Sequence, residues 1–163
     1  ILELGCGIGF TSACMALALP KVKIDTIDAD SKHVELARQN LIRLKQDHNV
    51  LVHEGYFDDV ISGLSRGYDL IFFDGYSPSL TLLKKLILML SDNGLLVCAN
   101  LTLLSNKERA ALMDFFNTSP LASCDVTLEN GGTVVARKKH VKRKPLLAIN
   151  HFFAAFSDTK TRR

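Results

Sequence analysis

Glu3-Leu4-Gly5-Cys6-Gly7-Ile8-Gly9-Phe10 is the stretch whose reading decides the fold. It continues the apolar opening Ile1-Leu2, which reads as a strand, and its three glycines at alternate positions read as a strand-to-helix turn. Glycine without a Cβ lets the backbone bend tightly and approach a ligand that a side chain would obstruct. A dinucleotide site wants G-x-G-x-x-G, with its third glycine where Phe10 stands, so NAD is disfavoured.

About twenty residues on, a second strand ends in Thr26-Ile27-Asp28-Ala29-Asp30. An acid here accepts hydrogen bonds from both ribose hydroxyls of a nucleoside lying across the strand ends. The competing role is a helix N-cap, which Asp30 or Ser31 serves better, so Asp28 is assigned to ribose and Asp30 to the cap. Outward from this pair the chain alternates. Strands are expected at Ile1–Leu4, Val22–Ile27, Val50–His53, Leu70–Asp74, Leu95–Ala99, Cys124–Leu128 and Thr133–Arg137. Between them, Ser31–Lys45 puts Val34, Ala37, Leu41 and Leu44 on one helical face. A second helix is expected over Pro78–Leu90 with Ser77 as N-cap and Pro78 at its first position. A third, Asn106–Asn117, opens with the capping-box spacing Ser105…Glu108. Near-continuously apolar strands such as Leu70-Ile71-Phe72-Phe73 belong to a parallel sheet covered on both faces, so the class is a doubly wound α/β fold.

The composition agrees: 163 residues, 47% hydrophobic and 23% charged, suit one globular core without disulfide or structural metal. No apolar run approaches the roughly 20 residues of a membrane span. Cys6, Cys14, Cys98 and Cys124 form no CxxC pair and have no histidine at zinc-ligand spacing, and read as reduced core residues of a cytoplasmic protein. The chain opens directly on a strand with no initiator Met, as a piece of a longer chain would. Charge divides it: from Arg137 onward the net is +8, while the preceding 136 residues carry −5. We therefore expect a domain over residues 1–138 and a basic tail over 139–163.

On these residues the chain resembles a class I S-adenosylmethionine-dependent methyltransferase. The family's E/D-x-G-x-G-x-G signature matches Glu3 to Gly9 and its acidic second-strand end matches Asp28. Within the superfamily it is most similar to the catechol and caffeoyl-CoA type O-methyltransferases. That likeness takes in Tyr68-Asp69-Leu70-Ile71-Phe72-Phe73-Asp74, Asn93–Asn100 and Gly131–Lys138. It implies a Rossmann-like sheet of seven strands, mostly parallel, with an antiparallel last strand formed by a hairpin around Asn130-Gly131-Gly132. It implies S-adenosylmethionine as cofactor, bound by Glu3, Gly5, Gly7, Gly9, Asp28, Ala29, Gly55, Tyr56 and Asp74. In this family the residues before the first strand cover the acceptor pocket.

The departures carry as much information. Where the family has Gly-Asp-Ala after the third strand, its Asp binding the adenine amino group, this chain has Gly55-Tyr56-Phe57, whose aromatic ring could stack on adenine. Metal-dependent relatives hold a divalent cation with an Asp ending strand 4 and an Asp-Asn pair ending strand 5; here Asp74 and Asn100 remain but Ala99 replaces the second acid, and Ser77 replaces the lysine base. One carboxylate and one amide are a poor cage for Mg²⁺, so no metal is expected. Methyl transfer then rests on positioning, with Asp74 either taking the proton of an acceptor hydroxyl or orienting the methionine amino group. His33, His48 and His53 have no partner spacing of a triad or metal site, and the Leu82, Leu83, Leu86, Ile87, Leu90 stripe reads as core. In the tail, Arg137 to Lys144 with Phe152, Phe153 and Phe156 reads either as an RNA-binding strip or as a solvated or packing end, the latter including a homodimer contact. Three functions stand: a methyltransferase acting on a small-molecule or RNA acceptor; an aminopropyltransferase, which would want a second acid where Gly75 stands; and a non-catalytic S-adenosylmethionine-binding module.

Overall fold

The computed structural model describes residues 1–119, 121–128 and 132–139. In chain order these form β1 (Leu2–Leu4), α1 (Phe10–Ala18), β2 (Ile24–Asp28), α2 (Ser31–Arg43), β3 (Val50–Glu54) and α3 (Phe57–Val60). There follow β4 (Tyr68–Phe73), α4 (Leu80–Met89), β5 (Leu90–Cys98), α5 (Asn106–Thr118), β6 (Leu121–Leu128) and β7 (Thr133–Lys138). The strands lie in the order β3-β2-β1-β4-β5-β7-β6. Pairs among β1 to β5 are parallel, and β7 runs antiparallel to both β5 and β6. The doubly wound, mostly parallel α/β class with an antiparallel last strand is therefore the observed one. The expected hairpin tip at residues 129–131 and the tail beyond residue 139 lie outside the described residues.

Burial explains why these segments pair. Leu2, Leu4, Ile27, Ile71, Phe73 and Leu96 are fully or almost fully buried on one side of the sheet against Leu83 and Leu86 of α4 and Phe116 of α5. On the other side Ile24, Val50 and Val52 pack on Ala13 and Ala16 of α1 and on Val34, Ala37 and Leu41 of α2. Both faces are covered, as near-continuous apolar strands require. Every residue of the Leu82, Leu83, Leu86, Ile87, Leu90 stripe is buried.

Several boundaries differ from the sequence reading, each for a local reason. Helix α2 ends at Arg43, so Leu44 becomes its half-exposed C-cap instead of a fourth face residue. Helix α4 starts at Leu80, because the Ser79 hydroxyl, and not that of Ser77, accepts the Leu82 N–H at 3.0 Å. Pro78 stays in the connection and favours extended backbone at Ser77. Strand β5 follows α4 directly at Leu90, pairing with Tyr68; the register shifts between Tyr68 and Leu70, and Asn93 takes a left-handed φ of 65°. Strand β6 begins at Leu121, earlier than expected. The box at Ser105 and Glu108 forms as its spacing predicts. Cys6 and Cys98 are buried and free, but Cys14 is exposed, since α1 turns it away from the sheet.

One polar tie joins three strands. Asp25 on β2 receives the Tyr68 hydroxyl at 2.8 Å and meets His53 Nε2 at 2.7 Å. Burial, and then the bond to Asp25, push the Tyr68 phenol above its ordinary range. His53 thus serves the sheet, in line with its reading as a structural residue.

Candidate functional site

The sheet order reverses at β1, whose neighbours β2 and β4 lead their chains to opposite sides, and ligands of such sheets sit outside the strand ends at that point. A cavity of about 640 Å³ opens there. Its floor is Gly5, Cys6, Gly7 and Ile8, with Phe10 and Thr11 of α1 beyond. One wall is Asp28, Ala29, Asp30 and His33; the other is Asp74, Gly75 and Tyr76, with Phe57 between.

The three glycines of the opening loop all have positive φ, at 102°, 49° and 81°, yet serve different ends. A Cβ on Gly5 would meet the Asp74 backbone carbonyl at 2.9 Å, and one on Gly9 would meet Ala37 at 3.1 Å, so these two let neighbouring elements close up. A Cβ on Gly7 would meet nothing within 4 Å, although Gly7 lines the cavity. Of the three, only Gly7 has open space where its side chain would stand.

Asp28 organises the loop. Its Oδ2 accepts the Gly7 N–H and its Oδ1 the Asp30 N–H, both at 2.9 Å. Asp30 caps α2 by accepting the Lys32 and His33 N–H groups, which hold its carboxyl below the usual range. His33 Nδ1 lies 3.6 Å from Asp28 Oδ2. Among its lining residues the cavity has three carboxylates, this histidine and no Lys or Arg, and so favours a ligand with positive charge.

Of the donor-site residues assigned from sequence, Gly5, Gly7, Asp28, Ala29 and Asp74 line the cavity, whereas Glu3, Gly9, Gly55 and Tyr56 do not. Glu3 is fully buried beneath the loop, where its Oε2 accepts the Ser12 hydroxyl and, at 2.5 Å, that of Thr26, stitching β1 to α1 and β2. Its Oε1 has no partner, and burial pushes its carboxyl above the usual range against the pull of those two hydroxyls. Gly55 donates its N–H to the Asp28 carbonyl at 2.9 Å and lies close to Val60. Tyr56 is largely exposed, and it is Phe57 that forms the wall, edge-on to Phe73 with ring centroids 5.8 Å apart. His33, read from sequence as having no site partner, lines the cavity from the first turn of α2, and Phe10 and Tyr76, given no site role, line it from the start of α1 and the loop after β4.

At the far wall, Asn100 ends the β5 connection with a left-handed φ of 62°. Its Nδ2 donates to Asp74 Oδ1 at 3.0 Å, with the Asp74 and Gly75 carbonyls at 3.4 and 3.5 Å. Three acceptors around one amide end fix that end as the nitrogen. Beside Asp74 the strand 5 end therefore offers one amide, and Ala99 adds no carboxylate. Among the described residues no group of three or more His, Cys, Asp or Glu is placed to hold a metal. This donor set does not fit the divalent cation of metal-dependent O-methyltransferases.

Comparison with known proteins follows the same line. A family model described as a methyltransferase domain matches residues 2–101. A catechol O-methyltransferase of Niastella koreensis is 33% identical over 105 residues, covering 61% of this chain and 48% of that enzyme, so the chain spans about half the length of this relative. The structure of an O-methyltransferase from Bacillus cereus in complex with S-adenosylhomocysteine superposes with a TM-score of 0.71 at 19% identity, covering 85% of this chain and 73% of that one. One from Streptomyces achromogenes, in complex with S-adenosylmethionine, gives 0.71 at 19% identity over 85% and 72%. At that identity the likeness shows the shared fold. Among the described residues no helix is long and apolar enough to cross a membrane.

Proposed function

We propose, from the premise that the chain belongs to the methyltransferase-domain family, that it binds S-adenosylmethionine in the 640 Å³ cavity and passes its methyl group, without a metal ion, to an oxygen or nitrogen of a small molecule. The observation that carries this reading is the open space over Gly7 beside the Asp28 carboxylate, at the end of β1 where the sheet order reverses. The relative's catechol activity supports oxygen as one acceptor atom.

The donor supplies a methyl carbon already activated by its sulfonium, so this chain's residues have mainly to bind and orient. Gly7 lets the ligand lie against the backbone, and Asp28, already anchored by two N–H groups, keeps lone pairs for the ribose hydroxyls. Phe57 offers a ring to the base, while the acidic lining favours the cationic donor. Asp74, held by Asn100, either receives the proton of an acceptor hydroxyl or steadies the methionine ammonium. The aminopropyltransferase reading loses ground at Gly75, where a Cβ would come within 2.7 Å of the Phe73 ring and leave no room for a second acid. Of the basic strip, Arg137 and Lys138 lie on β7 and donate to the Asn93 and Leu90 carbonyls; the rest of the tail on which the RNA and homodimer readings rest lies outside the described residues.

Calorimetric titration with S-adenosylhomocysteine tests the site. The wild-type chain should bind and Gly7→Val should not; equal affinity in the two would overturn the assignment.

A further inference from the structure

Helix α1 carries no charged residue, and the positions it turns to solvent, Phe10, Cys14, Leu17 and Ala18, hold neither a charge nor an amide nor a hydroxyl. Phe10 is 73% exposed and Leu17 56%. Beside them a groove of about 240 Å³ runs between α1 and α2, lined by Ile8, Phe10, Ala13, Asn40, Arg43 and Leu44. Past the end of α1 the apolar surface continues in the exposed Leu19. An exposed apolar patch with a polar rim marks a surface that meets a protein or a membrane. We propose that this face docks the chain on an anionic lipid surface, with Phe10, Leu17 and Leu44 in the apolar boundary and a rim of cations on the headgroups. The inference is independent of the methyl-transfer reading.

Charge decides the partner. The chain has no acid between Glu3 and Asp25 nor between Glu35 and Asp47, and in those two stretches stand Lys21, Lys23, Arg38, Arg43 and Lys45. Arg38 donates to the Val52 carbonyl. The other four are exposed, Lys21 and Lys23 after Leu19, Arg43 and Lys45 on either side of Leu44, and no salt bridge among the described residues engages them. Lys23 donates to the His48 carbonyl at 2.7 Å, which draws the two loops together. The nearest acid in sequence, Asp47, is exposed in the second of these loops. This basic rim stands on a body, residues 1–136, whose net charge is −5. A second copy of the chain would set these cations against their own kind. A protein partner would bring about one hydrogen bond per 100–200 Å² of interface, and the exposed side of α1 has no hydroxyl, amide or charged side chain to answer them. A lipid surface asks for none: binding grows with the apolar area inserted and with the attraction of basic side chains to anionic headgroups. The sequence from Arg137 onward, at +8, pulls the same way. Ile8 and Phe10 line the donor cavity as well, so a docked chain opens that cavity beside the lipid–water boundary.

Cosedimentation of the whole chain with lipid vesicles tests this. It should bind vesicles of phosphatidylcholine mixed with phosphatidylserine, and bind phosphatidylcholine alone about tenfold more weakly. Rising salt should release it, since screening shortens the reach of the rim. The basic stretch from Arg137 onward attracts anionic vesicles by itself, so two pairs of substitutions that leave it intact locate the contact. Leu17→Gln with Leu44→Gln removes apolar side chains and should weaken binding about tenfold. Lys21→Glu with Arg43→Glu should weaken it about thirtyfold, at about fivefold for each cation removed. All four positions are exposed and none lines the donor cavity, so both pairs should keep the fold in thermal melts and leave the S-adenosylhomocysteine titration unchanged. Vesicle binding indifferent to the leucine pair, equal binding to the two lipid compositions, or no binding to either would overturn the proposal. A dimer in lipid-free buffer that dissociates on the leucine substitutions would give the face to a second copy and overturn it as well.

Discussion

The two ends of the cavity are built in different ways. At the β1–β2 end, the Ile27 carbonyl takes the N–H groups of both Gly5 and Cys6, Asp28 takes those of Gly7 and Asp30, and the buried Glu3 joins two hydroxyls. Each of these bonds runs within one strand–turn–helix–strand unit. At the β4–β5 end, Asp74 is held by the Asn100 amide, and the neighbouring wall is Phe57, packed edge-on against the buried Phe73. The first end is a net of several bonds that tie the glycine turn to the end of β2. The second hangs on one amide, so a family motif can lose an acid there and gain a different arrangement without disturbing the fold.

The sharpest break in this contrast uses two glycines two residues apart. Gly5→Val would drive a side chain into the Asp74 carbonyl, so it should cost about 3–5 kcal/mol and leave little folded protein in thermal melts. Gly7→Val meets open space; it should keep the fold, less about 1–2 kcal/mol for a branched residue in left-handed backbone, and lose ligand binding outright. Equal destabilisation by both would remove the distinction between a packing glycine and a ligand glycine.

Asp28→Ala comes next. The variant loses the proposed ribose acceptor and frees two backbone donors, and S-adenosylhomocysteine affinity should fall by about 1–3 kcal/mol, the worth of bonds to a charged group. An affinity unchanged in calorimetry would show that the cradle acts by shape alone.

The acceptor end is probed by metal. Affinity for S-adenosylhomocysteine should be the same in excess EDTA, and Mg²⁺ should give no binding heat, because one carboxylate and one amide, without a second acid at Ala99, are a poor oxygen shell. Ala99→Asp restores the missing carboxylate and should gain a weak Mg²⁺ signal. A strong Mg²⁺ isotherm in the unaltered chain would mean that the strand 5 end is aligned wrongly with the metal-dependent relatives.

The legibility of the molecule follows the same division. The glycine turn, the Asp30 cap, the capping box and the buried helical stripe depend on residues close in sequence, and their spacing predicts what the structure shows for them. What spacing could not reveal joins residues tens of positions apart: Asp25 with His53 and Tyr68, Asn100 with Asp74, and Phe57 in place of Tyr56 at the wall. The start of α4 differs because Ser77 followed by Pro78 reads as the cap on paper, whereas in the fold the Leu82 N–H donates to Ser79. Glu3 is the instructive case. Its place in the signature suggested a ligand contact, but a side chain on a central strand, flanked by β2 and β4, points into packing and not into the loop above.

The smallest expected effect concerns that residue. Glu3 is fully buried with one carboxylate oxygen bonded twice and the other without a partner, and burial raises its pKa more than Ser12 and Thr26 lower it. A carboxyl whose folded pKa is raised binds its proton more tightly in the native state, so the stability it contributes is full below the unfolded value and is lost as pH rises through the folded one. At neutral pH the charge on Glu3 therefore weighs against the fold. Glu3→Gln keeps the shape, accepts a hydroxyl through its amide oxygen and carries no charge. It should raise the melting temperature at pH 7 to 8. The advantage should shrink toward zero by pH 4, where the wild-type carboxyl is itself neutral. Melts of both chains across that range check the sign: an advantage for Gln that grows toward acid would mean that the two hydroxyls stabilise the carboxylate more than burial disfavours it.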